Sequence, residues 1–402
     1  EPCWLNGTIT DALTTFPVSG AIVSVVGLTV DDVSAFDGGY ATGYITGGVY
    51  TVTVSAPGYL TATIDNVQLV NGQVTIQDVA LTPLVSFGLQ GSVTTAGTGV
   101  PVPNAMVEIV SNTYNYSVQA DANGNWQLPS MFADVFTITA GQWGWHTYCA
   151  AGQALAPGSG PINIELQQGY YDDMVLDFQW TNDATASTGA WARGIPLGTA
   201  NNGTASNPGL DVVGDCGEIA YVTGNGGGAA GTDDVDDGRV RLHSPTFDAT
   251  VDVEPHVRYA RWFYNGGGTG TPNDQLVISL SNGTDTMAIE TVVYNTPGAH
   301  TWVAKDIRVL DFIAPTTTMK LHATTADNVP GHIVEAGLDA FELYYANTAH
   351  VDEASNIDFQ LWPNPGTGAF TITTVEVFAT RVEVIDATGR VVFAQGLVAG
   401  QR

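Results

Sequence analysis

Hydrophobic and polar residues alternate with a period of two along most of the chain. Residues 50–54 (YTVTV) show the alternation most clearly, and the turn residues Ala56, Pro57 and Gly58 follow them. Successive side chains of a strand point to opposite faces, so this pattern is typical of strands with one buried face. No stretch shows the spacing of an amphipathic helix. The pattern therefore predicts an all-β chain of tandem β-sandwich domains.

The pattern of residues 1–82 recurs in residues 83–168. Ala21 corresponds to Ala105 and Gly58 to Gly144, at offsets of 84 and 86 residues. Offsets that drift by two residues fit a tandem domain duplication with loop changes, rather than a solenoid of short repeats. We therefore expect two small β-sandwiches in tandem.

Both units resemble the carboxypeptidase regulatory-like domain, a transthyretin-like β-sandwich. The resemblance rests on the opening Gly-x-Val/Ile-Thr at residues 7–10 and 91–94, the Asp-x-Asn-Gly-x-Trp turn at 121–126, and the Tyr-Thr-Val pattern ending in Gly-Tyr at 50–59. It implies a non-catalytic attachment, often found beside a peptidase.

Residues 169–346 contain many more strand candidates. They are residues 174–180, 217–223, 257–264, 275–281, 288–294, 318–324 and 333–344. Their number and the lack of helices predict two packed antiparallel sheets, a jelly roll. This region resembles a jelly-roll module of secreted bacterial proteins, including metallocarboxypeptidases. The motifs GTDDVD at 231–236 and VEAGLD at 334–339 carry the resemblance.

The C-terminal residues divide into a polar linker, 347–355, and a final segment, 356–402. The segment carries Trp-Pro-Asn-Pro at 362–365 and Gly-Arg-Val at 389–391. These motifs resemble the C-terminal sorting domain of the type IX secretion system of Bacteroidetes. The resemblance implies a secreted or outer-membrane-surface location, with the secretion machinery as a partner. We expect the domain to be partial, because further strands would follow Arg402.

The charge balance is strongly acidic. Lys and Arg together number 11 against 40 Asp and Glu, for a net charge of −29. Such a surface disfavours nucleic acid and anionic membranes as partners. No run of 18 apolar residues occurs, so no membrane-spanning helix is expected.

The three cysteines, Cys3, Cys149 and Cys216, lie far apart and lack zinc-ligand spacing. Two arrangements remain open at this point. A secreted protein could form one disulfide and keep one free thiol, whereas a protein in a reducing compartment would bury three thiols.

Four aspartates in five positions form the most conspicuous chemical motif. Asp233, Asp234, Asp236 and Asp237 lie between two glycines, in residues 231–238. Two carboxylates about 4 Å apart repel by roughly 4 kcal/mol at an effective dielectric constant near 20. Hard oxygen ligands without Cys or His indicate Ca²⁺. We therefore expect a structural calcium site in this loop, with Asp339 of the last strand as a further ligand; the alternative is a solvated acidic turn.

No motif of a serine hydrolase, a zinc protease or a P-loop enzyme is present. His332 and Glu335 match the H-x-x-E of zinc carboxypeptidases, but residues three apart on a strand face opposite sides. We therefore expect no catalytic activity and no cofactor other than Ca²⁺.

These observations favour a secreted or cell-surface protein with a structural or adhesive role. Open strand edges guarded by few lysines indicate self-association or pairing with other surface proteins. Two alternatives remain: the accessory region of a secreted peptidase whose catalytic domain precedes Glu1, and a carbohydrate-binding module. Trp143 and Trp145 could contact glycans, although core packing is the more common role of such side chains.

Overall fold

Strands account for nearly all regular structure in the described part of the chain, which confirms the all-β prediction. The computed structural model describes residues 1–346, 359–362, 371–374, 381–385 and 391–396. It divides into two units, Glu1–Tyr345 and Ala346–Arg402. The first unit contains three β-sandwiches, each with its own cluster of buried hydrophobic side chains.

The first sandwich contains eight strands. They are β1 (Cys3–Asp11), β2 (Ile22–Val25), β3 (Asp31–Val33), β4 (Gly39–Tyr44), β5 (Gly48–Ser55), β6 (Ala62–Leu69), β7 (Val74–Ile76) and β8 (Val79–Leu81). One sheet has the order β4-β1-β7, with β8 also on β1, and the other has the order β3-β2-β5-β6. Leu5, Ile9, Val52 and Val54 are fully buried between the sheets. They are the inward positions that the alternation predicts.

The second sandwich contains seven strands. They are β9 (Phe87–Thr95), β10 (Met106–Val110), β11 (Asn115–Gln119), β12 (Asn125–Met131), β13 (Asp134–Gly141), β14 (Tyr148–Leu155) and β15 (Ile162–Leu166). Its sheets have the orders β12-β9-β15 and β11-β10-β13-β14. These orders correspond strand for strand to those of the first sandwich, with β15 in the place of β7 and β8.

The third sandwich contains thirteen strands and one short 3₁₀ helix. They are β16 (Tyr170–Asp172), β17 (Thr181–Ala184), β18 (Trp191–Gly194), β19 (Ala200–Asn201), β20 (Thr204–Ala205), β21 (Ala220–Thr223), β22 (Gly238–His243), β23 (Pro255–Gly266), β24 (Gln275–Ser281), β25 (Thr286–Val293), β26 (Val303–Arg308), the helix Val309–Asp311, β27 (Lys320–Asp327) and β28 (Ile333–Tyr345). One sheet has the order β18-β21-β28-β23-β26, with β16 also on β28. The facing sheet has the order β17-β22-β27-β24-β25, and β19 pairs with β20.

One predicted strand of the third sandwich is wrong. Residues 174–180 do not form a strand, since only Tyr170–Asp172, just before them, pairs with β28. Met174 and Gln179 have φ angles of 59° and 65°, in the left-handed region that interrupts a strand. The apolar residues of this segment have another role: Val175, Leu176 and Phe178 form a separate buried cluster, against which Met106 and Trp143 of the second sandwich pack.

A disulfide joins the second and third sandwiches. Cys149 of β14 is bonded to Cys216, which lies in the loop before β21. Cys3 is a buried free thiol in the first sandwich. The structure therefore supports the arrangement with one disulfide and one free thiol.

The second unit is described only in two strand pairs. They are β29 (Phe359–Trp362) with β30 (Thr371–Thr374), and β31 (Arg381–Ile385) with β32 (Val391–Gly396), both antiparallel. The predicted linker, 347–355, the Pro-Asn-Pro motif, 363–365, and the Gly-Arg pair, 389–390, lie outside the described residues. Across the described part of the chain, no helix has the length and apolarity that crossing a membrane requires.

Candidate metal centres

The acidic loop, residues 231–238, lies between β21 and β22, and its aspartates turn to different partners. Asp233 Oδ2 accepts the Gly226 amide at 2.7 Å, and Asp236 Oδ2 accepts the Thr188 hydroxyl at 3.1 Å. Asp234 Oδ2 accepts the Val334 amide at 3.2 Å. Asp237 is exposed. The loop thus ties β22 to neighbouring segments through separate hydrogen bonds.

Asp234 makes the loop more than a solvated turn. It is 2 % exposed, and its Oδ1 has no hydrogen-bond partner among the described residues. Burial, together with the charge of Asp236, raises the pKa of Asp234 to about 6. Glu335 lies nearby on β28, where it accepts the Thr223 hydroxyl at 2.6 Å, and burial raises its pKa well above the ordinary value.

The structure separates Asp339 from the acidic loop. Within the described residues, two groups of three ligating side chains come together, and neither includes a loop aspartate. Asp339, which is buried, instead groups with the half-buried Asp211 and Asp215, and we refer to these three residues as the buried aspartate cluster. One carboxylate oxygen from each of these three residues lies within 4.8 Å of the others. The carboxylates of this cluster thus lie close together in space, whereas those of the acidic loop, although adjacent in sequence, do not form such a group.

A β-bulge positions Asp339 for this cluster. In the pairing of β23 with β28, Ala260 lies opposite Asp339 and Arg258 opposite Glu342, so β28 carries one extra residue. Ala340 takes that place with a φ of 50°. Bulges of this kind redirect a side chain relative to the sheet. Asp339 is therefore held on the side of β28 that a long loop covers.

The covering loop carries the other two acids. The indole N–H of Trp262 donates to the Ser206 carbonyl at 2.7 Å, and that of Trp302 donates to the Leu210 carbonyl at 2.8 Å. These contacts fix the loop over the sheet just before Asp211. The Cys149–Cys216 bond fixes it again, directly after Asp215. Both flanks of the cluster are thus anchored.

Each member of the buried aspartate cluster has a carboxylate oxygen without a hydrogen-bond partner among the described residues. These atoms are Oδ2 of Asp211, Asp215 and Asp339. Asp339 is 0 % exposed, and its other oxygen accepts the Ala340 amide at 2.6 Å. An unsatisfied buried carboxylate oxygen costs about 1–3 kcal/mol or more. Three such oxygens in one place form an arrangement that a cation would stabilise.

The pKa shifts have the same origin. Burial, followed by the nearby Asp211, raises the pKa of Asp339 far above its usual range. Burial, with the charges of Asp211 and Asp173, raises the pKa of Asp215 to about 7. Asp173, only 1 % exposed, has a pKa of about 6, mainly because of burial. In the absence of a cation, crowding and burial favour protonated carboxyl groups.

The donor set of the buried aspartate cluster fits Ca²⁺. The ligands are oxygens alone, which suits a hard cation, and Ca²⁺ accepts six to eight oxygens in flexible geometry. Asp211, Asp215 and Asp339 would hold the ion, with Asp173 beside them. Sequence inspection missed Asp211 and Asp215, which stand apart in a loop. The only signal there is their spacing of four residues immediately before Cys216.

His332 and Glu335, the H-x-x-E pair, do not share a site. Glu335 contacts Thr223, whereas His332 groups with Asp274 and Asp327. This separation agrees with the expectation for residues three apart at a strand. Three tryptophans of the third sandwich, Trp180, Trp191 and Trp262, are at most 8 % exposed, which agrees with core packing, whereas Trp302 is half-buried.

Comparison with known proteins gives one family match. A search of curated proteins finds no significant match. Solved structures that match part of the chain include a streptococcal ancillary pilin, at 11 % identity over 42 % of this chain and 62 % of the pilin, with a TM-score of 0.28. Two adhesin domains of Lys-gingipain from Porphyromonas gingivalis also match, each over 44 % of this chain and with a TM-score of 0.29. The match to K3 has 12 % identity and covers 96 % of that domain. The match to K1 has 15 % identity and covers 98 % of that domain.

Likenesses with such TM-scores carry no argument about function. The family match is of a different kind, because it rests on sequence and covers one complete sandwich. Residues 5–82, which run from β1 through β8, match the carboxypeptidase regulatory-like domain.

Proposed function

We propose that this chain is a secreted or cell-surface protein with a structural or adhesive role and no catalysis of its own. The Cys149–Cys216 bond carries the proposal, because disulfides persist in oxidising, extracellular environments and are rare in the cytosol. This bond links two sandwiches rather than stabilising one. A covalent link between modules suits a protein that spaces or displays its parts under mechanical load.

The junction that the disulfide closes is also packed with aromatic side chains. Trp143 of the second sandwich stacks on Phe341, with ring centroids 5.6 Å apart, and its indole N–H donates to the Thr246 carbonyl at 2.7 Å. Arg193 donates to the carbonyls of Met174 and Val175 at 2.7 and 2.6 Å. These contacts support a role in which the second and third sandwiches act as one stiff body.

Structural calcium is part of the proposal. We assign Ca²⁺ to Asp211, Asp215 and Asp339, in place of the loop aspartates Asp233, Asp234, Asp236 and Asp237, which do not converge on one point. Extracellular calcium is millimolar, and extracellular modules bind it with dissociation constants of about 10⁻⁴–10⁻³ M. A site of that affinity would be filled outside the cell, where the disulfide also forms.

Three finer proposals follow from the sequence motifs. The second sandwich is a second carboxypeptidase regulatory-like domain, supported by its strand order, which matches that of the first. The final segment is a type IX sorting domain, which would place the protein in Bacteroidetes. The chain self-associates or pairs with other surface proteins through its sandwich edges.

The proposal is tested on intact cells that produce the protein. Antibodies raised against residues 169–346 should label unpermeabilised cells, and a brief protease treatment should release the epitope while a cytoplasmic marker stays protected. Labelling only after permeabilisation would contradict the surface location. A gene that encodes a zinc-peptidase domain upstream of Glu1 would replace the structural role with that of a peptidase accessory region.

Self-association is tested separately by sedimentation of the purified chain at micromolar concentration and physiological salt. Species larger than a monomer are expected. A single monomeric species would remove self-association and leave the surface role standing.

A further inference from the structure

A second group of ligating side chains lies at one end of the third sandwich. Asp274 precedes β24, Asp327 ends β27, and His332 precedes β28. One ligand atom from each lies within 4.8 Å of the others. The side chains of His332 and Asp274 are both 0 % exposed. Three separate segments therefore bring an imidazole and two carboxylates to one buried point.

The imidazole of His332 has no hydrogen-bond partner at either nitrogen among the described residues. Its Nδ1 lies 3.9 Å from Asp274 Oδ2, which is too long for a hydrogen bond. A protonated imidazolium would bury two N–H groups without acceptors. A neutral ring would still leave one donor and one acceptor unpaired. Protein groups alone do not account for this side chain.

We propose that Asp274, Asp327 and His332 bind a divalent transition metal ion of the zinc class. Zinc bonds to imidazole nitrogen and carboxylate oxygen are about 2.0–2.2 Å long, so two ligand atoms on one tetrahedral ion lie about 3.4 Å apart. His332 Nδ1 and Asp274 Oδ2 are 3.9 Å apart, so they would approach each other by about 0.5 Å on binding the ion. The imidazole distinguishes this site from the buried aspartate cluster, whose oxygens suit Ca²⁺.

Surrounding groups hold the ligands in place. Asp274 Oδ1 accepts the amide and side-chain N–H groups of Asn328 at 2.9 and 2.8 Å. Asn265 donates to Asp274 Oδ2 at 3.1 Å and accepts the Asp274 amide at 3.1 Å. The His332 amide donates to Asp327 Oδ1 at 3.0 Å. Orienting contacts of this kind are typical of metal ligands.

The local charge also favours a cation. Asp274 and Asp327 form no ion pair with Lys or Arg in the described residues. Asp327 is close enough to the acidic loop that its charge contributes to the raised pKa of Asp234. A divalent ion would neutralise the two ligand carboxylates, and its field would reach the loop. It would also satisfy one of the two unpaired ring nitrogens.

The test measures zinc binding to the purified full chain, after chelator treatment and with millimolar calcium present to occupy oxygen-only sites. Competition with a chromophoric chelator should show one tight zinc equivalent. His332→Ala should weaken that binding more than about 100-fold, beyond the 10–100-fold that loss of a supporting residue causes. His300→Ala, which removes an exposed histidine, is the matched control and should leave the tight equivalent unchanged.

Cobalt substitution gives a second measurement. Co²⁺ bound to nitrogen and oxygen ligands should show visible absorption bands that disappear in His332→Ala and persist in His300→Ala. If His332→Ala does not fold, Asp327→Asn, at a half-buried position, takes its place. The proposal is wrong if the parent chain lacks a tight equivalent, or if the substitutions at the site and at His300 affect zinc equally.

Discussion

The two junctions between neighbouring sandwiches differ in the number and kind of contacts that hold the domains together. At the first, between the first and second sandwiches, the Gly58 amide donates to the Tyr114 hydroxyl at 3.0 Å, beside the ring of Phe132. At the second, between the second and third, a disulfide, a stacked tryptophan and an apolar cluster act together. The first and second sandwiches, which have the same strand order, thus meet through a hydrogen bond and an aromatic contact. The second and third sandwiches, which differ in strand order, are joined covalently and by packed side chains.

The difference indicates where stiffness is needed. The second junction borders the buried aspartate cluster, since Asp215 precedes the disulfide cysteine Cys216 and Asp173 begins the segment that packs on the second sandwich. A cation at the cluster would therefore brace the same loops that the disulfide holds. We expect the second and third sandwiches to unfold together and the first to unfold separately.

The disulfide should have the largest effect on this difference. Replacing both cysteines, Cys149→Ser with Cys216→Ser, opens a loop of 67 residues. In the chain-entropy treatment a loop of that length contributes about 4 kcal/mol to the free energy of unfolding. Calorimetry should show the shared transition of the second and third sandwiches move to lower temperature and split.

Cys3→Ser is the matched control for that change. Cys3 is buried in the first sandwich and forms no disulfide, so its replacement should alter the first transition alone. A double variant that still melts as one unit, at the parent temperature, would show that the disulfide is incidental to the junction.

Trp143→Ala should have the next largest effect. The change removes the stack on Phe341 and leaves a cavity among Tyr170, Phe178 and Trp180, which surround the indole. Replacing a buried tryptophan by alanine costs about 3–5 kcal/mol, and for the half-buried Trp143 we expect the lower end, about 3 kcal/mol. Faster proteolysis between the second and third sandwiches is expected, with the disulfide intact. Trp4→Ala, at a 44 % exposed position of the first sandwich, should have little effect; equal effects of both changes would contradict the special role of Trp143.

The sequence predicts those features of the fold that depend on residues close together along the chain. Alternation within a strand is local, so Val52 and Val54 could be assigned to a core without knowledge of the partner strand. The segment 174–180 was misassigned because its apolar residues pack against another module. Sequence shows that a stretch is apolar, but it does not show whether a sheet or a neighbouring domain covers it.

The candidate sites depend on contacts distant in sequence, which the pattern of residues along the chain does not reveal. Asp233, Asp234, Asp236 and Asp237 attract attention because they are adjacent, yet adjacent residues of an extended chain point in different directions. Asp211 and Asp215 meet Asp339 only because β28 carries a bulge and a covering loop crosses its face. The sequence also predicts Asp339 as a ligand, and the structure brings it together with Asp211 and Asp215.

Calcium should have the third largest effect on the second junction. With free calcium at 100 times the dissociation constant, binding adds about 2.7 kcal/mol to stability. The shared transition of the second and third sandwiches should then lie roughly 5 °C higher than in chelator. Asp339→Asn should abolish that calcium-dependent difference, because it removes the central charged ligand of the cluster.

The acidic loop provides the control for this prediction. Asp233→Asn with Asp236→Asn removes two loop charges and should keep the full calcium shift. Loss of the shift in that double variant, with its retention in Asp339→Asn, would return the calcium site to the loop. Equal melting of the parent chain with calcium and with chelator would remove the calcium proposal.

The smallest effect is expected at the first junction. Tyr114→Phe removes the hydroxyl that accepts the Gly58 amide, which costs about 1 kcal/mol, the usual net value of one hydrogen bond. Tyr116→Phe is a matched control, since its hydroxyl accepts the Phe132 amide at 3.0 Å within the second sandwich. Small-angle scattering should show a wider spread of shapes for Tyr114→Phe than for Tyr116→Phe, while both variants keep the shared transition of the second and third sandwiches. If Tyr114→Phe destabilised the chain as much as Trp143→Ala, the first junction would be as firmly closed as the second, and the contrast between them would not hold.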